Sequence, residues 1–253
     1  CLILFAYRCH PGSELVLLGN RDEFLARPTQ PMDFWLDAPE VLGGRDLVGG
    51  GSWLAVARGG RFAAVTNYRD APGSAADALS RGDLVSAFVR GRETAEAYAC
   101  GLAERGARYG GFNLLVGDRA ALYYVSNRGG GMRAVEPGLH GLSNHLLDTR
   151  WPKVERGLAG LEEALAKSAE LDTVALLDVL QDRRPAPDAD LPQTGVGLER
   201  ERALSPIRIV TEGYGTRCST VLAIGNDGRV RAVERNHDDS ITRQFSLEGR
   251  SSR

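Results

Sequence analysis

The sequence predicts an α+β protein in which two β-sheets pack together and carry helices on their outer faces. Short apolar runs bounded by turn residues occupy the start, the middle and the end of the chain, as expected for strands. Two stretches between these runs carry apolar residues at helical spacing, which indicates amphipathic helices. The blocks therefore alternate as strands, helices, strands, helices and strands, an order that favours a layered α+β arrangement.

The length and the composition are typical of one globular domain. The chain has 253 residues, of which 43% are hydrophobic and 25% are charged, and these are ordinary globular values. A chain of this length buries roughly 70–75% of its unfolded surface, so a single domain spanning 1–253 is predicted. The formal net charge of −2 argues against a general nucleic-acid-binding protein, which needs a basic surface.

The N-terminal third is predicted to form two hairpins. Pro11-Gly12 and Gly59-Gly60 are turn signals that each separate two apolar runs. The stretch 23–44 contains three prolines and is predicted to be a loop. The predicted strands are 2–8, 14–19, 52–57 and 61–66.

The remaining elements follow from spacing and turn residues. Apolar residues recur at helical spacing over 84–102, with a break at Gly91, and again over 151–165 and 171–180. The polar segment 183–203, rich in Pro and Gly, is predicted to be a long surface loop. The predicted strands of the middle and the C-terminal third are 112–116, 121–126, 132–135, 207–211, 218–224, 229–234 and 243–247.

Several classes of site are not expected. No run of 18 apolar residues occurs, so no integral membrane segment is predicted. The four cysteines stand at positions 1, 9, 100 and 218 without CxxC or CxxH spacing, which argues against a metal site and against a disulfide scaffold. A cytoplasmic protein is therefore expected, and its oligomeric state stays open.

Cys1 is the first candidate for chemistry. The chain begins with this cysteine instead of methionine, so we expect that a preceding residue is removed. A free thiol has a pKa of about 8.5 and an α-amine a pKa of about 7.7–8.0, so one residue can supply a nucleophile and its base. Routine methionine removal ahead of a core cysteine is the alternative, and this feature alone does not decide between them.

Polar residues at predicted strand ends are further candidates. Asn20-Arg21-Asp22-Glu23 follows the second strand, Asn67 follows the fourth, Asn144 precedes the helix at 151–165, and Arg217 enters a late strand. Each of them alone is typical of a turn or a helix cap.

Together, these residues resemble the NRDE family, which includes the transport and Golgi organisation protein two homologues. The family is named after the tetrad found here at 20–23. Further matching blocks are Cys1-Leu2-Ile3, Gly50-Gly51-Ser52-Trp53-Leu54, Val65-Thr66-Asn67-Tyr68-Arg69, Gly141-Leu142-Ser143-Asn144, Asp148-Thr149-Arg150-Trp151-Pro152-Lys153-Val154 and Gly215-Thr216-Arg217-Cys218-Ser219-Thr220-Val221.

The resemblance implies a four-layer αββα sandwich of the N-terminal nucleophile (Ntn) hydrolase type. That fold is similar to the one of choloylglycine hydrolases and penicillin V acylases, amidases with an N-terminal cysteine. An amidase or acylase that cleaves a C–N bond of a small molecule, without a cofactor, is the activity this implies. Fold alone does not establish activity, so whether the chain is an enzyme stays open.

The resemblance also implies site roles by position. Asp22 would hold the α-amine of Cys1, and Arg21 and Arg217 would favour its thiolate. Asn67 and Asn144 would supply oxyanion contacts.

One departure concerns the spacing of the first arginine and the aspartate. In the acylases these residues are three positions apart, whereas Arg21 and Asp22 are adjacent. Adjacent side chains of a regular strand point to opposite faces, so both face Cys1 only if the strand ends or bulges there. Asp22 is therefore the stronger assignment.

A non-catalytic protein that binds or traffics haem or another hydrophobic ligand is the alternative function. Members of the resembled family are linked to haem handling and membrane trafficking. Haem binding requires an axial ligand such as His, Cys or Tyr, for which His10, His145 and Cys1 are the candidates. A CxxCH haem-attachment motif is absent from the sequence.

Overall fold

The computed structural model describes residues 1–70, 78–129 and 131–249. Within them, two antiparallel sheets pack face to face, and helices cover the outer face of each sheet. The predicted four-layer αββα sandwich is confirmed. None of the helices in these ranges is both long and apolar enough to cross a membrane.

The first sheet, sheet A, has the strand order β10-β1-β2-β11-β12-β13. Its strands are β1 (Leu2–His10), β2 (Ser13–Phe24), β10 (Gly138–Leu142), β11 (Tyr214–Gly225), β12 (Val230–Asn236) and β13 (Thr242–Leu247). Sheet B runs in sequence order from β3 to β9. Its strands are β3 (Thr29–Trp35), β4 (Ala38–Asp46), β5 (Leu54–Ala57), β6 (Phe62–Asn67), β7 (Phe112–Gly117), β8 (Leu122–Ser126) and β9 (Gly131–Ala134).

The helices form the two outer layers. Helices α1 and α2 share a buried core with sheet B, while α3 and α4 share one with sheet A. The helices are α1 (Gly82–Arg90), α2 (Ala95–Arg105), α3 (Pro152–Ala166), α4 (Thr173–Val179) and α5 (Leu198–Ala203).

Side-chain alternation along β1 and β2 assigns the two faces of sheet A. Ile3 and Leu17 belong to the core between the sheets, whereas Leu2 and Leu18 belong to the core under α3 and α4. A period of two is expected when both faces of a strand are buried. Odd-numbered residues of both strands therefore face the other sheet, and even-numbered residues face the helices.

The prediction of a loop at 23–44 was wrong. Strand β2 continues to Phe24, and β3 and β4 fill most of the remaining stretch. Pro31 lies in β3, which is an edge strand of sheet B, a position where a missing N–H donor is tolerated. Pro31 therefore marks a sheet edge in this stretch.

Two C-terminal predictions also differ from the structure. The stretch 207–211 is not a strand and pairs only through an isolated bridge between Val210 and Gly215. The segment 183–203 contains a short 3-10 helix at Asp188–Asp190 and helix α5. Strand β10 was missed because its sequence, Gly-Leu-His-Gly-Leu, carries few residues with strand preference.

Candidate functional site

A cavity of about 490 Å³ opens where β1 begins and β2 ends, and Cys1 lies in its wall. Leu2 pairs with Asn20 in the ladder between these strands, so the hairpin brings the first residue beside the tetrad at 20–23. Residues of both sheets and of the segments that connect their strands and helices complete the wall. They include Arg21, Asp22, Trp53, Val65, Asn67, Arg81, Arg217, Cys218, Glu234 and Asn236.

The α-amine of Cys1 is held by a carboxylate. Its nitrogen lies 3.0 Å from Asp22 Oδ2, and the other carboxylate oxygen accepts a hydrogen bond of 2.7 Å from the Thr216 hydroxyl. The Ser143 hydroxyl donates to the carbonyl of Cys1 at 3.0 Å. The first residue is therefore fixed through its amine and its carbonyl.

The thiol of Cys1 points to one face of sheet A, and its amine is contacted from the opposite face. Cys1 is odd-numbered, and its Sγ lies 3.8 Å from the backbone carbonyl of Asp22 in the cavity wall. Asp22 is even-numbered and contacts the amine from the helix side of β2. Because β2 stays extended through Phe24, Arg21 faces the core between the sheets and Asp22 faces the helices, as the alternation requires.

The two predicted arginines have different surroundings. Each guanidinium nitrogen of Arg217 has a hydrogen-bond partner. Its Nε and Nη2 donate to the Asp238 carboxylate, and its Nη1 donates to the carbonyls of Phe24 and Arg27. Arg21 Nη1 donates to Thr29 Oγ1 at 3.1 Å, and its nearest carboxylate, Glu23, lies at 3.8 Å. Arg21 is therefore the less neutralised charge of the two.

The predicted asparagines are brought together, but only one of them is among the described residues that line the cavity. Asn67 stands in the cavity wall at the end of β6. Asn144 Nδ2 donates to the backbone carbonyl of Asn67 at 3.0 Å. Asn144 thus positions the chain at Asn67.

Charged residues that sequence reasoning missed act on the proton affinity of the Cys1 amine. Burial lowers the pKa of the Cys1 amine, the attraction of Asp22 opposes that effect, and the positive charges of Lys153 and Arg69 add to it. Arg69 pairs with the buried Glu201 of α5 at 2.5 Å. Lys153 belongs to a matching block of the sequence, yet its charge gave no signal that it lies inside the fold.

A second buried acid lies in the cavity wall. Glu234 accepts hydrogen bonds from the Met32 backbone N–H at 2.7 Å and the Thr220 hydroxyl at 3.3 Å. Burial raises the pKa of Glu234, and burial beside this carboxylate raises the pKa of the Cys218 thiol. The Cys218 thiol is thus held in its neutral form.

The two histidines considered as haem ligands lie apart from this cavity. His10 is at the hairpin end of β1, eight residues along the strand from Leu2, which is roughly 25–30 Å in an extended chain. His145 contacts Thr149 Oγ1 through Nδ1 at 2.9 Å and packs beside Tyr68. Neither is among the described residues that line the cavity, so neither is placed to ligate a group bound there.

Comparison with known proteins identifies the family. The family model described as Transport and Golgi organisation 2 matches residues 1–239. The chain belongs to the Transport and Golgi organisation 2 family. It is 35% identical to the Transport and Golgi organization protein 2 homolog of Bos taurus, over 93% of this chain and 92% of that protein. The homolog of Homo sapiens is 32% identical, over 98% and 99%.

A solved structure outside the Transport and Golgi organisation 2 family shares the fold. The Caenorhabditis elegans N-acylethanolamine-hydrolyzing acid amidase ortholog superposes with a TM-score of 0.52 and covers 88% of this chain and 92% of its own. The sequence identity is 11%, so the likeness shows the fold alone. The Ntn hydrolase-like architecture expected from the sequence is thereby confirmed.

Proposed function

We propose that this protein is an N-terminal-cysteine hydrolase that cleaves a C–N amide bond of a small molecule. One observation carries the proposal: the amine of Cys1 lies 3.0 Å from Asp22 Oδ2, and Cys1 itself lines a cavity. A thiol nucleophile, a neighbouring base and a group that orients the base are the parts required for covalent acyl transfer. The proposal requires that Cys1 is the first residue of the mature protein.

In the proposed reaction, the Cys1 amine accepts the proton of the thiol. The thiolate attacks the amide carbonyl carbon and forms a C–S bond, and the carbonyl electron pair moves onto oxygen. The protonated amine then passes its proton to the leaving nitrogen as the C–N bond breaks. A thioester on Cys1 remains, and water, deprotonated by the same amine, hydrolyses it and regenerates the thiol.

The oxyanion of the tetrahedral intermediate requires hydrogen-bond donors at the cavity wall. Asn67 is our first candidate, because it lines the cavity and Asn144 fixes its backbone. Arg21 is the candidate for stabilising the thiolate, because it lies on the face of β2 that points between the sheets and its charge is incompletely neutralised. Arg217 has a more structural role in this proposal.

The test is turnover of an amide panel by the mature protein. N-acyl amino acids, lactams and N-acylethanolamines are assayed with wild type, Cys1→Ala and Cys9→Ala. The last class is included because the structural neighbour is an N-acylethanolamine-hydrolyzing amidase. Cys9 is an exposed thiol at the far end of β1 and serves as the matched control. We expect turnover by wild type and Cys9→Ala, loss in Cys1→Ala, and an acyl adduct on the N-terminal peptide after acid quenching.

Two results would contradict the proposal. Turnover that survives in Cys1→Ala would exclude this nucleophile, and a wild type that cleaves no amide would exclude the hydrolase. Saturable ligand binding without turnover would favour the alternative of a binding or trafficking protein using the same cavity.

All four cysteines are free thiols, which supports the further proposal that the protein works in the reducing cytoplasm.

A further inference from the structure

Arg81 is a cation of the cavity wall without a carboxylate partner among the described residues. It lies directly before α1, lines the cavity and is partly buried. Its Nη1 donates to the backbone carbonyl of Gly111 at 3.2 Å, and no carboxylate in the described part of the chain lies within 4.0 Å of its guanidinium. An arginine stays protonated in a protein, so the wall carries this charge.

Every other cation that the described residues place in this wall has a carboxylate within 4.0 Å. The pairs are the Cys1 amine with Asp22 at 3.0 Å, Arg21 with Glu23 at 3.8 Å, Arg27 with Asp46 at 2.6 Å, Arg45 with Asp37 at 3.2 Å, and Arg217 with Asp238. Burial raises the pKa of Glu234, the remaining carboxyl group among the described lining residues, and so favours its neutral form. Arg81 is therefore the charge in this wall that a ligand can balance.

Close packing of the backbone fixes the place of Arg81. The Ser52 backbone N–H donates to the carbonyl of Gly82 at 3.2 Å, and a Cβ on Gly51 would overlap the backbone of Gly82. The start of α1 therefore rests directly on the segment before β5. A binding group held on such a support keeps its geometry.

The guanidinium of Arg81 has donors to spare. The bond to Gly111 uses one N–H of Nη1, and an arginine has five N–H donors in a planar fork. A carboxylate matches this fork because its two oxygens can accept two parallel hydrogen bonds. A carboxylate also carries the single negative charge that the wall lacks.

Arg81 and the thiol lie on different sides of the cavity. Cys1 directly precedes β1 of sheet A, whereas Arg81 leads into α1, which shares a core with sheet B. The cavity volume of about 490 Å³ is within the range of small-molecule sites. A ligand whose amide reaches Cys1 can thus place a second group against Arg81.

We propose that Arg81 binds a carboxylate of the ligand, so that the cavity selects acidic amides such as N-acyl amino acids over neutral amides. The inference deepens the proposed hydrolase function by naming its substrate class, and it rests on that function for turnover. Binding of the carboxylate is measurable without any reaction.

The experiment compares two probes that differ in one charge, N-octanoylglycine and N-octanoylglycinamide. Their octanoyl chain offers an apolar contact to Phe24 and Leu79, which line the cavity and are exposed. Isothermal titration calorimetry at pH 7 measures both affinities in a Cys1→Ala background, which removes the nucleophile and keeps the probes intact.

In that background, N-octanoylglycine should bind about tenfold more tightly than its amide, as expected for charge-assisted hydrogen bonds. Arg81→Met should remove this preference by weakening the binding of the acid alone. Arg81→Lys should keep part of it, because the charge remains but the planar fork is lost. Arg92→Met, at an exposed arginine beyond the end of α1, is the matched control and should leave both affinities unchanged.

Equal affinity of the Cys1→Ala protein for the two probes would overturn the inference, as would a preference that survives in folded Arg81→Met. Absence of measurable binding of N-octanoylglycine would overturn it as well. If Arg81→Met fails to fold, Arg81→Gln supplies the same comparison, and the comparison of the two probes needs no variant of Arg81.

Failure of the hydrolase proposal is separate. A binding preference for the acid in a protein whose wild type cleaves neither probe would keep the carboxylate site and remove the reaction. Cleavage of both probes without a preference in binding would keep the reaction and remove the site.

Discussion

At the scale of single residues, Asp22 is the group on which the candidate site depends. It is buried, pairs with the amine of Cys1 at 3.0 Å and accepts the hydroxyl of Thr216 at 2.7 Å. The same Thr216 oxygen accepts the backbone N–H of Ile209, which directs its hydroxyl hydrogen to Asp22. A carboxylate held by these contacts orients the amine as well as attracting it.

Asp22→Asn should weaken the hold of the amine of Cys1 on its proton. The carboxylate raises the pKa of the Cys1 amine against the effect of burial, so the amide variant should lower the titration midpoint of that amine. With the amine no longer oriented, acylation of Cys1 should fall on the order of 100-fold. Trace acetylation of the amine in the Cys1→Ala background and acylation kinetics of the thiol by mass spectrometry measure the two effects.

Asp227→Asn, at the exposed turn between β11 and β12, is the control for loss of a carboxylate. A midpoint that rises or stays fixed in Asp22→Asn would contradict the electrostatic account of the site.

Asn20, the first residue of the tetrad, has a structural role. Its side-chain amide donates to the carbonyls of Leu180 at 3.0 Å and Ile207 at 2.9 Å, and its oxygen accepts the Ser219 hydroxyl. It is completely buried on the helix side of β2. Asn20 thus ties the strand to the end of α4 and to the chain that leads into β11.

Asn20→Ala should therefore destabilise the fold without removing a reactive group. Two carbonyls would lose their donor in a buried place, and each such group costs about 1–3 kcal/mol. We expect the free energy of unfolding in urea to fall by about 3 kcal/mol, whereas Asn226→Ala at the exposed β11–β12 turn should change it far less. A loss no larger than that of the control would argue against this tie.

At the scale of the elements, β2 decides how close the two sheets lie beside the cavity. Gly19 faces Trp53, which directly precedes β5 of the other sheet, and a Cβ placed on Gly19 would lie 2.7 Å from Trp53 Cη2. That distance is shorter than any van der Waals contact. Because Gly19 has no side chain, β2 leaves room for the Trp53 indole, which lines the cavity.

Gly19→Ala should push Trp53 out of place. Overpacking of this kind costs about 1–3 kcal/mol, and a displaced indole should change the intrinsic fluorescence of the folded protein. In Gly110→Ala, the new Cβ would meet Arg81 at an ordinary 3.8 Å, so this control should keep its stability. Equal stability of the two variants would refute the close packing described for β2.

The sequence predicted the parts of the fold and the site that depend on short-range pairing. The β1–β2 hairpin brings Cys1 beside Asp22, and its local signal is a Pro-Gly turn between two apolar runs. Lys153 could not be placed in this way. Its position depends on the rotation of α3 against sheet A, and that rotation is fixed by packing between distant elements.

Two further misses have the same cause. Strands β3 and β4 contain prolines and charged residues, so local preference pointed to a loop. Glu201 lies in a segment of low apolar content, and its carboxylate pairs with Arg69 and accepts the backbone N–H of Thr194. Local preference carries no information about which polar residue finds a buried partner.

At the scale of the whole molecule, acid should weaken the fold through His237. Burial, followed by the positive charges around it, lowers the pKa of this imidazole to about 4. The groups that act on it are Arg208, Arg235, Arg183 and Asp238. Because the pKa is depressed in the folded state, the stability that neutral His237 contributes is present above about pH 6.5 and is lost as pH falls toward 4.

His237→Gln should remove this part of the pH dependence. Between pH 7 and pH 5, wild type should lose about 1 kcal/mol more unfolding free energy than the variant, a figure reduced for the solvent that reaches this half-buried ring. Urea unfolding at both pH values measures the difference, with His10→Gln at the far end of sheet A as the control. Parallel pH profiles for wild type and His237→Gln would contradict the prediction.

The division of Cys1 between the two faces of sheet A has an evolutionary consequence. Substitutions between the sheets can alter what the cavity accepts without touching the charges around the amine, and substitutions under α3 can retune proton affinity without reshaping the cavity. The ligand specificity of the cavity and the reactivity of Cys1 can therefore change independently of each other during evolution. A descendant could lose its chemistry through the helix layer alone and keep an intact binding cavity.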